Sequence, residues 1–510
     1  MVCSRSMRKL IAVGTVALAC TAACSRGDAP HVAVSATTQA PAVVQVPTPA
    51  KVPKLPEVAP APAFASVSKL IDDAIAANKL PGAVVVVGHG GDIVFHQAYG
   101  SRKLASEPGL DGQPAPAAPM TEDTLFDLAS LTKILATATA VMQLYEHGQV
   151  QFDDPIQQYL PDFNPENDPR RAKVTVRMLL THTSGERGDV ELKDPWGLDR
   201  ADKTEGIHRA LTTPLESGPG DVFHYSDINF ILLGALVEQI TGEDEDVYVQ
   251  DHVFAPLGMT ETRYLPPAKA CGPHTIRGAA IGWAPAPQGG LAASCPADAW
   301  STELLPRIAP TARDEEGRAD PGKNPDLDHL LWGTVHDTTA RRMGGVAGHA
   351  GVFSTAYDVS TFAQALLDRL EGRPSKFPLT QASCELMTSP QQPGHTAGQL
   401  EAANRATRND IAKGLNTWDP LLAARYPAIP GQNLRGFGWD IDTPLSGTRG
   451  MVFPIGSFGH TGFTGTSIWI DPNSNTYIVL LANSIHTRGS PPMSDLRGEV
   501  ATMTARALGL

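Results

Sequence analysis

Apolar residues recur at helical spacing over positions 66–78, where Val67, Leu70, Ile71, Ala74 and Ile75 share one side and Pro81-Gly82 closes the run. Two β-rich runs follow at 83–87 and 93–98, and the Gly88-His89-Gly90-Gly91-Asp92 segment between them predicts a hairpin. Helical spacing returns over 128–148, 228–242 and 359–370. Near the other end, 466–470 and 477–481 alternate as strands around the turn Asp471-Pro472-Asn473-Ser474-Asn475, and 495–508 reads as a helix. Strands at both ends with helices between predict an α+β fold. It consists of one antiparallel sheet flanked by helices (about 66–127 and 435–510) and an inserted, mainly helical domain (about 128–434).

The first residues follow a different pattern. Arg5, Arg8 and Lys9 precede the apolar run 10–19, small residues and then a cysteine, which is the layout of a secretory signal over 1–24. The run is about half of the roughly 20 residues a membrane-spanning helix needs. The segment resembles a bacterial lipoprotein signal, which implies a lipidated Cys24 or, alternatively, Cys20, and a membrane partner reached through that lipid. An ordinary cleaved signal is the other reading; either predicts an exported, periplasmic or extracytoplasmic protein. Positions 25–65 are rich in Pro, Ala, Val and Thr, cannot bury a core, and predict an extended tether. The globular domain is then expected over 66–510.

Composition narrows the function classes. A chain of 510 residues with 42% hydrophobic content can bury a large core. A net charge of -13 argues against a nucleic-acid partner, whose phosphates need Lys and Arg. Beyond the signal only Cys271, Cys295 and Cys384 remain, so no disulfide framework is predicted; Cys271 and Cys295 flank a Gly/Pro/Ala-rich loop and are free to pair. The histidines lack paired ligand spacing, so neither a metal nor another cofactor is implied.

Ser130-Leu131-Thr132-Lys133 is an S-x-x-K tetrad, and residues three apart share a helix face, so Lys133 can reach the Ser130 hydroxyl. Ser66-Val67-Ser68-Lys69 repeats the pattern, but it follows the tether, where its lysine stays solvated. Ser130 follows the apolar stretch 125–129, which can bury the start of its helix. An isolated tetrad is most simply a helix-start serine with a surface lysine. Two further elements change that balance: Tyr225-Ser226-Asp227 and His460-Thr461-Gly462. No G-x-S-x-G occurs, which disfavours a Ser-His-Asp enzyme of the α/β-hydrolase type.

In this order the three elements resemble the class C β-lactamase superfamily of β-lactamases, D-alanyl-D-alanine carboxypeptidases, esterases and amidases. The resemblance extends through Asp153-Asp154-Pro155, the segment 179–185, Pro256-Leu257-Gly258-Met259 and the glycine-rich 344–351. Segments 308–311, 333–337 and 345–351 resemble a branch containing a penicillin-binding protein of type 4B and muropeptide amidases. The resemblance implies Ser130 as acylated nucleophile, with Lys133 and Tyr225 sharing the proton transfers. It also implies an oxyanion hole from the Ser130 N–H and the backbone after Gly462, at Phe463 or Thr464, and a substrate-orienting Thr461. A tyrosine beside a lysine ammonium is expected to have a lowered pKa.

Two departures bear on substrate. Asp227 stands where many relatives have Asn, so efficient β-lactam hydrolysis is not expected unless Asn229 supplies the amide, and an aspartate there favours a charged Lys133. His460 replaces a lysine, removing an obligatory positive charge from the carboxylate-binding edge. His182, His336 and His349 read as structural hydrogen-bonding residues. The leading expectation is hydrolysis of a peptidoglycan-derived amide or peptide through a Ser130 ester. A broad carboxylesterase or weak β-lactamase is the alternative enzyme, and a penicillin-recognising sensor or non-turnover wall-fragment binder the alternative of another class.

Overall fold

The valine-rich strand after the first helix buries both of its faces. In the computed structural model, which describes residues 62–284, 295–414, 416–487 and 493–510, Ala83, Val85 and Val87 pack with Val67, Ile71, Leu496 and Val500. Val84 and Val86 point the other way, into the large core that contains Ile134, Leu135 and Phe362. The period of two thus joins two apolar layers through one strand, as expected for a sheet covered on both faces. The signal (1–24), nearly all of the tether (25–65), and Cys20 and Cys24 lie outside the described residues.

The main sheet has eight antiparallel strands: β1 (Gly82–His89), β2 (Asp92–Lys103), β3 (Ala118–Pro119), β4 (Leu434–Arg435), β5 (Asp440–Asp442), β6 (Phe458–Thr461), β7 (Ser467–Asp471) and β8 (Thr476–Ala482). Their order is β4-β5-β6-β7-β8-β1-β2-β3. The centre of the sheet is therefore a pairing of distant segments, with Val85 opposite Leu480. Helices α1 (Ala65–Ala76) and α5 (Ser494–Ala507) cover one face. On the other lies α4 (Ala356–Leu370), while α3 (Asp227–Thr241), which ends at Gly242 with φ 74°, packs in the same core against the segment 133–138.

Two regions depart from the sequence reading. The continuous helix predicted for 128–148 is instead a 3-10 turn (Ala129–Leu131), a π-helical segment (Lys133–Ala138) and α2 (Thr139–Glu146). Threonine hydroxyls explain part of the change: Thr139 Oγ1 donates to the Ile134 carbonyl, and Thr137 Oγ1 contacts Glu245 and the Gly348 carbonyl. The middle of the chain also contains short strands, including a three-stranded sheet of Phe126–Asp127, Val352–Ser354 and Arg263–Tyr264. Strands of two or three residues carry no readable alternation. Cys271 and Cys295 are disulfide-bonded, with Cα atoms 5.8 Å apart.

Candidate active site

The segment entering the Ser130 turn is held in an unusual backbone conformation. Ala129 has φ 46°, a left-handed value costly for a residue with a Cβ, and the buried Asp127 carboxylate accepts its N–H at 2.9 Å. The other Asp127 oxygen accepts the His336 N–H at 2.7 Å. Ser130 then sits within the opening turn of the composite helix, where the first backbone N–H groups lack intrahelical acceptors.

Lys133, fully buried, donates to three oxygens: Ser130 Oγ at 3.0 Å, Asp227 Oδ1 at 2.6 Å and the His349 carbonyl at 3.0 Å. Burial, the largest influence, would lower its pKa, but the Asp227 carboxylate and the Tyr225 hydroxyl together outweigh it and leave it above the usual lysine range. Lys133 is therefore an ammonium at rest. Tyr225 lies under it, with Nζ 5.1 Å from the ring centroid, and its hydroxyl interacts with Ser130 and Lys133. Burial dominates here too: the Tyr225 pKa is raised, not lowered as the sequence reading expects, because desolvation of a phenolate outweighs the nearby ammonium.

Two elements hold the tyrosine. Ser226 precedes α3 and donates its hydroxyl to the Arg187 carbonyl at 2.5 Å, while Asp227 N–H donates to the Gly188 carbonyl at 2.7 Å. His182 stacks on the Tyr225 ring, centroids 4.4 Å apart, and its Nδ1 accepts the Ser226 N–H at 3.1 Å. That bond places the His182 proton on Nε2; burial, then the charges of Arg435 and Lys133, keep the ring neutral. His349 is paired through Nε2 with Asp337 at 2.8 Å, and burial, opposed and overcome by Asp337, leaves its pKa raised.

The third element approaches from β6. Gly462 lies so near the Ser130 segment that a Cβ on it would stand 2.4 Å from the Leu128 carbonyl oxygen and 2.1 Å from Thr466 Oγ1. Thr464 Oγ1 donates to the Asp127 carbonyl at 2.7 Å and Thr466 Oγ1 to the Leu128 carbonyl at 3.0 Å, stitching the turn after β6 to the approach of Ser130. From α5, the buried Arg497 donates to the Gly462 carbonyl at 2.8 Å.

These elements enclose a cavity of about 220 Å³ lined by Ser130, Tyr225, His460, Thr461 and Phe463, together with Arg435, Asp440, Leu445 and Trp469. A hollow of about 430 Å³ beside Tyr264 and Trp300 is larger, but among the described residues no serine, cysteine or histidine lines it, so volume does not decide the site. His460 is buried, and its Nδ1 donates to the Thr461 carbonyl at 2.9 Å. Burial first, then Arg435 and Lys133, push its pKa well below the ordinary value, so the ring is neutral. Phe463 is 74% exposed at the rim and stacks on His336, centroids 5.8 Å apart.

One residue assigned to substrate from sequence faces elsewhere. Asn229 is fully buried, accepting from Ser184 Oγ at 2.5 Å and lying 3.4 Å from His182 Nδ1, so its amide does not replace the one absent at Asp227. The Thr464 side chain is spent on Asp127, leaving only its backbone for the site. In the second tetrad, Ser66 and Lys69 are exposed on α1 and Lys69 pairs with Asp73. Sequence reasoning missed Arg435, whose signal was a charge next to the Gly436-Phe437-Gly438-Trp439 run.

A family model described as Beta-lactamase matches residues 67–502. The chain belongs to the beta-lactamase family. It is 30% identical over 425 residues to an Escherichia coli (strain K12) protein named "Putative D-alanyl-D-alanine carboxypeptidase", covering 81% of each chain. It is 29% identical over 437 residues to the "N-acetylmuramyl-L-alanine amidase" of Bacillus subtilis (strain 168), covering 82% of this chain and 81% of the other. Among solved structures, unliganded simvastatin synthase from Aspergillus terreus superposes with TM-score 0.55 at 21% identity, over 88% of this chain and 100% of that one. A class C beta lactamase from Rhodobacter sphaeroides does so with TM-score 0.51 at 20% identity, over 87% and 99%. At these identities the structural likeness concerns the fold. The family member described here is thus a hydrolase with a β-lactamase fold, built on an antiparallel sheet with flanking helices.

Proposed function

We propose that this chain is an exported serine hydrolase, lipid-anchored at Cys24 or Cys20, that cleaves an amide in a peptidoglycan-derived peptide through an ester on Ser130. The observation that carries the reading is the Lys133 ammonium bridging Asp227 and the Oγ of Ser130, a residue that lines one cavity with Tyr225. The names of the E. coli and B. subtilis relatives support the substrate class. A protein of this fold does not by itself inherit a substrate.

A protonated lysine cannot store the proton that Ser130 loses on attack. In this mechanism Ser130 passes its proton to Lys133 as Lys133 passes one to Asp227, so the carboxyl holds it while the tetrahedral oxyanion forms. The Ser130 N–H and the backbone N–H of Phe463 or Thr464 stabilise that oxyanion. Tyr225, a phenol at rest, then gives its proton to the leaving nitrogen and recovers one from Lys133, which is refilled from Asp227. Each group returns to its starting state, and water repeats the sequence to hydrolyse the ester.

The neutral His460 favours one second reading, a carboxylesterase, because its strand offers no fixed positive charge to a substrate. The test is intact-protein mass after fluorophosphonate treatment of wild type, Ser130→Ala and Ser66→Ala, followed by product analysis with muropeptides, D-alanyl peptides and simple esters. Label lost only in Ser130→Ala, with repeated turnover of a wall peptide, supports the proposal. Label surviving in Ser130→Ala overturns it, and turnover of esters alone selects the second reading. One equivalent of product and then silence selects a sensor.

A further inference from the structure

The segment Gly333-Thr334-Val335-His336-Asp337 lies outside the three motif elements, yet its last two residues reach the serine, the lysine and the turn after β6. The His336 N–H donates to Asp127 Oδ2 at 2.7 Å, and Asp127 Oδ1 accepts the Ala129 N–H at 2.9 Å, so His336 braces the approach to Ser130. Its ring stacks on Phe463, centroids 5.8 Å apart. Asp337 Oδ1 accepts from His349 Nε2 at 2.8 Å, and the His349 carbonyl accepts from Lys133 Nζ at 3.0 Å.

The last of these links has little freedom. His349 is fully buried, and Gly348 before it is wedged against α3, where a Cβ would stand 2.1 Å from the Phe230 carbonyl oxygen. Thr137 Oγ1, about one helical turn beyond Lys133, donates to the Gly348 carbonyl at 2.7 Å. In so tight a packing, a shift of the His349 ring is passed on to the carbonyl that Lys133 meets. Burial, the largest influence, would raise the Asp337 pKa, but His349 and the Ala340 N–H outweigh it and hold Asp337 below the usual carboxylate range. The bond to His349 is therefore charge-assisted.

A carbonyl can only accept, so the Lys133 N–H on His349 stays in place during proton exchange. As the Ser130 proton moves to Nζ, another moves from Nζ to Asp227, and the bond to His349 fixes the direction of both.

We propose that Asp337 is a positioning residue for the acylation of Ser130, acting through His349 to aim Lys133 while the neighbouring His336 N–H sets the turn that carries the serine. The inference rests on the acyl-enzyme reading above. The rival role for Asp337 is helix capping alone, since Oδ1 also accepts the Ala340 N–H at 2.9 Å at the start of the short helix Thr338–Arg342. Serine caps a helix about as well as aspartate, but its side chain is shorter and uncharged, so Asp337→Ser separates the two roles.

The test measures fluorophosphonate labelling by intact-protein mass over a range of probe concentrations, in the full chain as wild type, Asp337→Ser, Asp337→Asn and His349→Ala. Asp337→Ser and His349→Ala are expected to reach the wild-type extent of labelling with an unchanged half-saturating concentration, but with a maximal rate lowered about tenfold to 100-fold. Asp337→Asn is expected to fall between them and wild type, because its amide oxygen still accepts from Nε2 without the charge. A wild-type rate in Asp337→Ser or in His349→Ala overturns the proposal, as does a loss confined to the extent of labelling, which marks a role in stability only. If both of these variants fail to fold, Asp337→Asn decides, and a wild-type rate there overturns the assignment. A wild type that is not labelled at Ser130 removes the acyl-enzyme reading and this inference together, whereas a labelled wild type with unaffected variants removes the positioning role alone.

Discussion

Gly462 and Leu128 meet at a separation that admits no side chain between them: a Cβ at 462 would lie 2.4 Å from the Leu128 carbonyl oxygen. This contact sets how closely the backbone after β6 approaches Ser130. Gly462→Ala is expected to displace the turn by a fraction of an ångström to about 1 Å and lower the Ser130 labelling rate by about 100-fold, since misplacement of that size is costly in catalysis. Stopped-time mass spectrometry with a fluorophosphonate measures it; an unchanged rate would remove the turn from the oxyanion hole.

Tyr225→Phe keeps the ring that stacks on His182 and removes only the hydroxyl. It is expected to fold with an unchanged melting temperature and to lose about 100-fold to 10,000-fold in kcat/KM, the range for a positioned acid–base group. Steady-state kinetics on whichever substrate is identified checks this. A loss below about tenfold would exclude Tyr225 as the donor to the leaving group.

Asp227→Asn removes the charge that holds Lys133 above the usual lysine range while burial, which acts in the opposite direction, remains. The Lys133 pKa should therefore fall, and proton storage on Asp227 is abolished. Labelling at pH 7 is expected to drop at least about tenfold, with the residual rate climbing through a transition below the ordinary lysine value of about 10.4 as the neutral amine forms. A pH profile of the labelling rate distinguishes this from a simple loss. If its shape matches that of wild type, Asp227 has no part in the proton circuit.

Glu186 makes the stability of the fold depend on pH. It is buried with both carboxyl oxygens unpartnered among the described residues. Arg171 lies 3.8 Å away, but its nitrogens bond the carbonyls of Phe163, Leu211 and Thr213, so burial prevails and pushes Glu186 from the ordinary 4.5 up to about 8. Between those values the unfolded chain has released a proton that the native state still holds, so rising pH favours unfolding by at most about 1.4 kcal/mol per unit from this group. Glu186→Gln is expected to gain on wild type from pH 5 to 8 and then run parallel to it. Melting temperatures measured across that range test it, and parallel curves throughout would refute it.

The periodic elements were legible because burial on a sheet face or helix stripe imposes a period on the sequence. The hairpin of β1 and β2, the β7–β8 pair and the terminal helices fall within a few residues of their expected positions. The π-helical stretch carrying Lys133 was not, because it depends on Thr137 and Thr139 hydroxyls finding carbonyls that the sequence cannot locate. At the site, Ser130, Lys133, Tyr225 and Asp227 come together, since each lies in a recognisable motif. Asn229 was misplaced because two residues along α3 from Asp227 the side chain meets Ser184 and not Lys133. Arg435 was missed because its place in the cavity wall emerges only from three-dimensional packing.

The pairing of Val85 with Leu480 has a temporal consequence. Ser130 lies in the first third of the chain, but β6, whose His460 and Thr461 line the same cavity, pairs with β7, and β8 follows later still. Until those residues leave the ribosome, β1 lacks one neighbour and the Ser130 pocket lacks a wall. The wall that His460 and Thr461 give the cavity can therefore form only after the C-terminal strands of the sheet have been made and docked.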